Sequence, residues 1–177
     1  MTARRLRLVD DEYGLDRTPV EGGRMKVALA TNDMKTVNGH FNGAKNMAVY
    51  EVGRDGYEFI EVIQFDDLSK QDGKHTEDGE DRLNNKVKAL TGVALLFVKA
   101  IGGPAAAKVV RNDIHPIKLP TDEPMTSVLD RVQTMLNGNP PPWLRKIMLR
   151  DEKVAAAAGG AHAFLDDDED DYEEESA

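Results

Sequence analysis

The chain has no cysteine, so any soft-metal chemistry must fall on histidine, carboxylate or methionine side chains. Of its four histidines, His40 is set apart by its surroundings. It lies in MKVALATNDMKTVNGHFNGAKN (Met25–Asn46), where a short apolar run opens into Lys35, Asn38, Gly39, Asn42 and Lys45. An imidazole offers one coordinate bond, amide side chains offer hydrogen bonds, and lysines offer positive charge. A second group, Lys99, Gly102 and Gly103, follows another apolar run and precedes Pro104. Glycines there let a ligand approach the backbone, and the free amides of a helix start favour an anion. Together the two groups suit a bulky anionic ligand held by one metal–nitrogen bond at His40 and by hydrogen bonds elsewhere.

Each group also has a plainer reading. Gly39-His40-Phe41-Asn42-Gly43 can be a simple turn in which Phe41 anchors the loop and His40 is solvated, and the residues alone weigh toward that. Gly102-Gly103-Pro104 is more often the tight packing of a strand against a helix than an anion cradle. It lacks the spacing of a P-loop or of a dinucleotide-binding turn. His75 lies in a polar stretch with no partner at ligand spacing, His115 opens an edge strand, and His162 lies in the tail. Among the methionines, Met34 and Met47 are candidate soft donors, although core packing explains Met47 at least as well.

The elements that must position these side chains follow from hydrophobic periodicity. Lys26–Ala30 is short and apolar, a central strand. Residues 46–52 and 57–65 flank Gly53-Arg54-Asp55-Gly56 and predict a β-hairpin. From Glu80 the period changes: Leu83, Val87 and Leu90 share a helical face, with Arg82, Lys86 and Lys88 elsewhere. Val93–Val98 is continuously apolar, as for a strand covered on both faces. Pro104 starts a second helix over residues 105–111, and Ile114–Leu119 is a strand whose Pro116 places it at an edge. Val128, Leu129, Val132, Met135 and Leu136 mark a further helix, closed by Gly138. The order β-β-β-α-β-α-β-α, with right-handed crossovers, predicts a three-layer α/β domain. Its mixed five-stranded sheet has the first strand near the centre, a ribonuclease H-like arrangement. In such sheets ligands collect at the carboxyl ends of the parallel strands, where both candidate groups fall.

Four segments are expected: a disordered leader (1–23), a cofactor-binding domain (24–138), a Pro-rich segment with a short amphipathic helix (139–152), and a disordered linker with an acidic tail (153–177). The apolar face Trp143, Leu144, Ile147 and Met148 predicts a helix folded back onto the domain, or else a docking helix for a partner. The net charge of −9 is a property of the tail, because Asp166–Glu175 holds nine carboxylates and the remainder is formally neutral. Without a basic stripe bearing interleaved aromatics, nucleic acid is not an expected partner. No apolar run approaches the ~20 residues of a membrane span, and Met1–Gly14 has no apolar stretch behind its arginines. The expectation is a cytoplasmic protein with no membrane partner. Neither Lys26–Ala30 nor Val93–Val98 carries the acids a two-metal nuclease needs, and no nucleophile elbow is present, so an enzyme is disfavoured.

Three segments, MKVALATND, VNGHFNGAKNMAVYEV and VALLFVKAIGGPAAAKVVRNDIHPIKLP, closely resemble the dinitrogenase iron–molybdenum cofactor-binding family. The resemblance spans roughly Met25 to Arg150. It implies a ribonuclease H-like fold used for binding, with His40 as the cluster-binding metal ligand. It also implies a nitrogen-fixation accessory protein whose cargo is an iron–sulfur precursor of the nitrogenase cofactor, including the NifB-produced cluster, or the finished iron–molybdenum cofactor. The implied exchange partners are the NifB protein and the NifEN scaffold, with apo-dinitrogenase a further candidate. A single imidazole gives reversible capture where several thiolates would clamp the cargo. A different class of function is an assembly factor that contacts nitrogenase or scaffold proteins without holding a cluster; the Trp143–Met148 face and the tail would then be its working parts.

Overall fold

β2 (Met25–Thr31) sits where two kinds of sheet meet, and the rest of the fold is arranged around it. In the computed structural model, which describes residues 3–7, 24–65 and 76–160, it pairs antiparallel with β4 (Asn46–Gly53) and parallel with β6 (Leu95–Val98). β4 returns through Arg54-Asp55 into β5 (Gly56–Phe65), the expected hairpin, and Gly53 pairs with Gly56 at its tip. α1 (Thr76–Ala89) leads to β6, and α2 (Gly103–Arg111) leads to β7 (His115–Lys118), which lies parallel to β6 at the sheet edge where Pro116 placed it. α3 (Met125–Asn137) and α4 (Pro142–Gly160) complete the helices.

Alternation along the strands divides the core into two layers. Val27 and Leu29 of β2 face Val128, Leu129, Val132 and Leu136 of α3 together with Leu144 and Ile147 of α4. Ala28 and Ala30 face the other way, toward Val87 on α1, Leu90 in the turn just after it, and Ala105 and Val109 on α2. With helices on both faces, β6 is buried at every position, which accounts for its unbroken apolar sequence. Among the described residues no helix is long and apolar enough to cross a membrane.

The sheet departs from expectation in size. It has six strands, in the order β1-β5-β4-β2-β6-β7, where the sequence predicted five, and a separate pair joins β3 (Thr36–Val37) to β8 (Glu123–Pro124). The added strand, β1 (Ala3–Arg7), comes from the leader, so the expectation of disorder does not hold for those residues. It pairs antiparallel with β5, and its arginines supply what its apolar content does not. Arg5 and Arg7 donate to the two carboxylate oxygens of Glu61, at 3.0 and 3.2 Å, and Arg5 also donates to the Ala89 carbonyl that ends α1. Glu61 is only 6% exposed, so this pairing neutralises a carboxylate that burial would otherwise penalise.

A second departure concerns the segment after Gly138. The helix there folds back on the domain through Leu144 and Ile147, as expected, and Trp143 stacks on His115 with ring centroids 4.5 Å apart. It does not stop near residue 152, however; the backbone stays helical to Gly160, through four consecutive alanines that favour helix. His75, His162 and the acidic tail lie outside the described residues.

Candidate functional site

The loop from β2 to β4 is long but closed at every turn by its own polar groups. Thr31 is fully buried at the end of β2, and its hydroxyl accepts the Met34 amide at 3.0 Å and donates to Asp33. The Asp33 carboxylate also accepts the Lys35 and Thr36 amides, at 2.9 and 2.8 Å, and the Thr36 hydroxyl. Those amide hydrogen bonds, chiefly from Thr36 and then Lys35, hold its pKa far below the ordinary carboxylate value of 3.8. Asp33 is therefore committed to the backbone as an Asx turn and is a poor metal ligand. Asn38 accepts the Asn32 amide at 2.8 Å, and Asn32 in turn accepts the Lys45 amide at 3.1 Å. The far side of the loop is tied to the head of α3 by the β3–β8 pair and by Met125 donating to the Lys35 carbonyl.

His40 sits at the crest. Its residue forms a parallel bridge with Ala100: the Phe41 amide donates to the Ala100 carbonyl at 2.8 Å, and the Lys99 amide donates to the Gly39 carbonyl at 2.9 Å. The His40 carbonyl then accepts the Gly43 and Ala44 amides, closing a tight turn. Gly39 is required by space, because a Cβ there would lie 2.7 Å from the Ala44 Cβ and 3.0 Å from the Ala30 carbonyl carbon. Phe41 is buried beneath, while the His40 side chain is exposed and makes no hydrogen bond to any described residue. So the two plain features foreseen for the turn, an anchored phenyl ring and a solvated imidazole, are both present.

Beneath the turn lies a group that the sequence concealed. Lys86, placed by helical periodicity away from the apolar face of α1, is only 4% exposed. Its ammonium donates to the carbonyls of Phe41 (2.9 Å), Asn42 (2.8 Å) and Ala44 (3.3 Å). It also lies over the Phe65 ring at 4.9 Å from the centroid and near that of Phe41 at 5.9 Å. A buried cation held by three carbonyls and two aromatic faces is well compensated, and its effect is to draw the His40 turn shut from below.

The second candidate group is brought beside the first by the His40–Ala100 bridge. Gly102 caps α2 with an extended backbone (φ −71°, ψ 155°), and Pro104 follows in the first turn. Both Gly102 and Gly103 are exposed, and a Cβ on either would meet nothing within 4 Å. The fold itself thus has no steric need for glycine at these positions, which leaves the helix start open to a large neighbour. Lys35 and Lys45 are exposed and have no ion-pair partner among the described residues. Lys99 is different: its ammonium pairs with Asp122 at 2.9 Å, so its charge is largely answered. Asn42 presents an exposed side chain, whereas the Asn38 oxygen already serves the loop. Met47 is fully buried core, and Met34 is exposed with φ of 58°. His115 lies at the opposite end of the sheet, level with the start of β6, where burial lowers its pKa.

Among the described residues no three histidine or carboxylate side chains converge on a common point. A bare ion would therefore find no set of three such ligands there. A protein-family model described as "Dinitrogenase iron-molybdenum cofactor" matches residues 23–135 of the chain. The chain belongs to that family. Among its relatives, Protein NifX of Sinorhizobium fredii is 52% identical over 147 residues, 83% of this chain and 89% of that protein. Protein NifX of Rhodobacter capsulatus is 45% identical over 152 residues, 85% of this chain and 92% of that protein. Protein NifY of Azotobacter vinelandii is 32% identical over 124 residues, 70% of this chain but 48% of that protein. The matched stretch of the dinitrogenase cofactor family runs from just before β2 into α3, and so takes in the His40 loop, Lys86 and Gly102-Gly103.

Proposed function

We propose that this protein is a non-enzymatic carrier that binds, stores and hands on iron–sulfur precursors of the nitrogenase iron–molybdenum cofactor. Its cargo is the NifB-produced cluster or the finished cofactor, and its route runs in the cytoplasm from the NifB protein to the NifEN scaffold, with apo-dinitrogenase a further acceptor. Family membership supports the cofactor association. The sheet order β5-β4-β2-β6-β7 supports a ribonuclease H-like scaffold for the domain, residues 24–138.

The observation that carries the reading is the exposed His40 side chain on a backbone fixed from three directions, next to a helix start that no side chain caps. The imidazole supplies the metal bond. Lys35 and Lys45 supply charge that draws in an anion. Asn42 and the amides near Gly102 and Gly103 supply hydrogen bonds to the sulfides of the cargo, while the Gly39 amide is spent on the Ala30 carbonyl and serves to hold the turn. One nitrogen ligand holds such a cluster less firmly than a thiolate set would, which suits release. The alternative, an assembly factor holding no cluster, needs a free Trp143–Met148 face. That face is largely engaged: Leu144 and Ile147 are buried and Trp143 is stacked on His115.

The test is transfer under argon from cluster-loaded NifB protein, followed by re-isolation and measurement of iron and visible absorption. The wild-type chain is expected to gain iron. His40→Ala is expected to keep the wild-type Tm, since an exposed side chain contributes little packing, and to lose most of the iron. Wild-type occupancy in the alanine variant would place the ligand elsewhere. A wild-type chain that never takes up iron would favour the assembly-factor reading.

A further inference from the structure

At the far end of the sheet from His40, a cleft of about 650 Å³ opens between the end of α2, the start of β7 and α4. Its walls include Val110, His115, Trp143, Lys146, Leu149 and Lys153. Two features make it an unfinished surface. Val110 and Leu149 are 56% and 59% exposed, although both are large and apolar. Lys146 and Lys153 are exposed and have no ion-pair partner among the described residues. The remaining charges there answer each other, because Arg150 pairs with Asp113 at 3.0 Å and donates to its carbonyl. The cleft is therefore apolar with a net positive rim.

The chain carries a segment of matching chemistry. After α4 ends at Gly160 come Phe164-Leu165 and then the nine carboxylates of Asp166–Glu175. Reach is sufficient. Lys153 lies about 10 Å back along the helix from Gly160 and Lys146 about 21 Å back, at 1.5 Å per residue. Four extended residues bring Phe164 about 13 Å from the helix end, level with Lys153, and the ten-residue acidic block spans about 33 Å more, past Lys146. The spacing Trp143, Lys146, Ile147, Arg150, Lys153 keeps the basic and apolar positions on one face of α4, so a returning strand of chain meets both.

We propose that Phe164–Glu175 folds back into this cleft, seating Phe164-Leu165 against Val110 and Leu149 and its carboxylates along Lys146 and Lys153. The tail then covers its own chain's apolar surface, and an acidic partner segment would have to displace it. This inference is independent of the role assigned to His40.

Trp143 is the chain's single tryptophan and lines the cleft, so it reports occupancy directly. The experiment uses the full chain and follows acrylamide quenching and the emission maximum of Trp143 at low and at high salt. Salt should raise quenching and red-shift emission, because a seat made by surface charges is screened. Two full-length variants should show the high-salt behaviour at both salt levels. One carries amides in place of the nine carboxylates; the other is Lys146→Glu with Lys153→Glu. Circular dichroism checks that each remains folded. Quenching that ignores salt and both variants would overturn the proposal. A protection that grows with protein concentration would overturn it in favour of a tail seated on a second copy.

Discussion

Replacing Lys86 by methionine tests the rigidity of the candidate site without touching any group that would meet cargo. The substitution keeps an unbranched apolar stem and deletes the ammonium that donates to the carbonyls of Phe41, Asn42 and Ala44. The bonds at 2.9 and 2.8 Å, donated by a charged group, contribute about 1.5–3 kcal/mol each; the 3.3 Å contact adds little. Removing a buried charge also removes its desolvation cost, which offsets part of that sum and leaves a net loss of about 3 kcal/mol. At about 1.4 kcal/mol per factor of ten, the turn should open roughly a hundredfold more often. The direct assay is amide hydrogen exchange at Gly43 and Ala44, which donate to the His40 carbonyl. Their protection is expected to fall about a hundredfold, with a drop in Tm of roughly 10 °C. Unchanged protection at both amides, with a Tm within a degree or so of wild type, would refute the claim that the ammonium holds the turn closed.

Three further outcomes follow from the same geometry. Gly39→Ala forces a Cβ to 2.7 Å from the Ala44 Cβ, so it should cost about 1–3 kcal/mol, seen as a lower denaturation midpoint, and should reduce iron uptake with it. Gly102→Ala and Gly103→Ala meet no neighbour; stability should hold or rise by about 0.5 kcal/mol while iron uptake falls, and retained uptake would show that cargo does not approach these amides. The pKa of Asp33 is depressed by folding, so its support for the loop is complete above the ordinary value of 3.8 and drains away only as pH falls below it. The Lys35 and Thr36 amide signals in NMR should therefore persist down to about pH 4 in the wild type and be weakened at every pH in Asp33→Asn.

The central strands, the hairpin, the proline-led helix and the edge position of β7 were legible because each carries its signal locally, in periodicity or in turn residues. His40 was legible for the same reason, as an imidazole among small and amide side chains just beyond a strand. What holds it was not. Lys86 looked like an ordinary solvated lysine on the polar side of α1, and its partner carbonyls lie more than forty residues away. β1 escaped because Arg4, Arg5 and Arg7 give it no apolar stripe; it is selected by backbone pairing and by Glu61, which is distant in sequence. The Asx turn at Asp33 is a different case, since Asp33 and Thr36 stand close enough together that the pattern could have been recognised. Likewise the run Ala155–Ala158 favoured continuing α4, and the glycines after it drew the boundary too early.

The loop around His40 is fastened to Lys99 and Ala100 just beyond β6, to the head of α3 and to Lys86, and these ties leave it no hinge. On the proposed reading, departure of the cargo cannot wait for the perch to fold away. The acceptor must come to the docked cluster and offer a competing ligand while the imidazole still holds on. Delivery by that route is associative: its rate climbs with acceptor concentration and shows no plateau set by spontaneous opening.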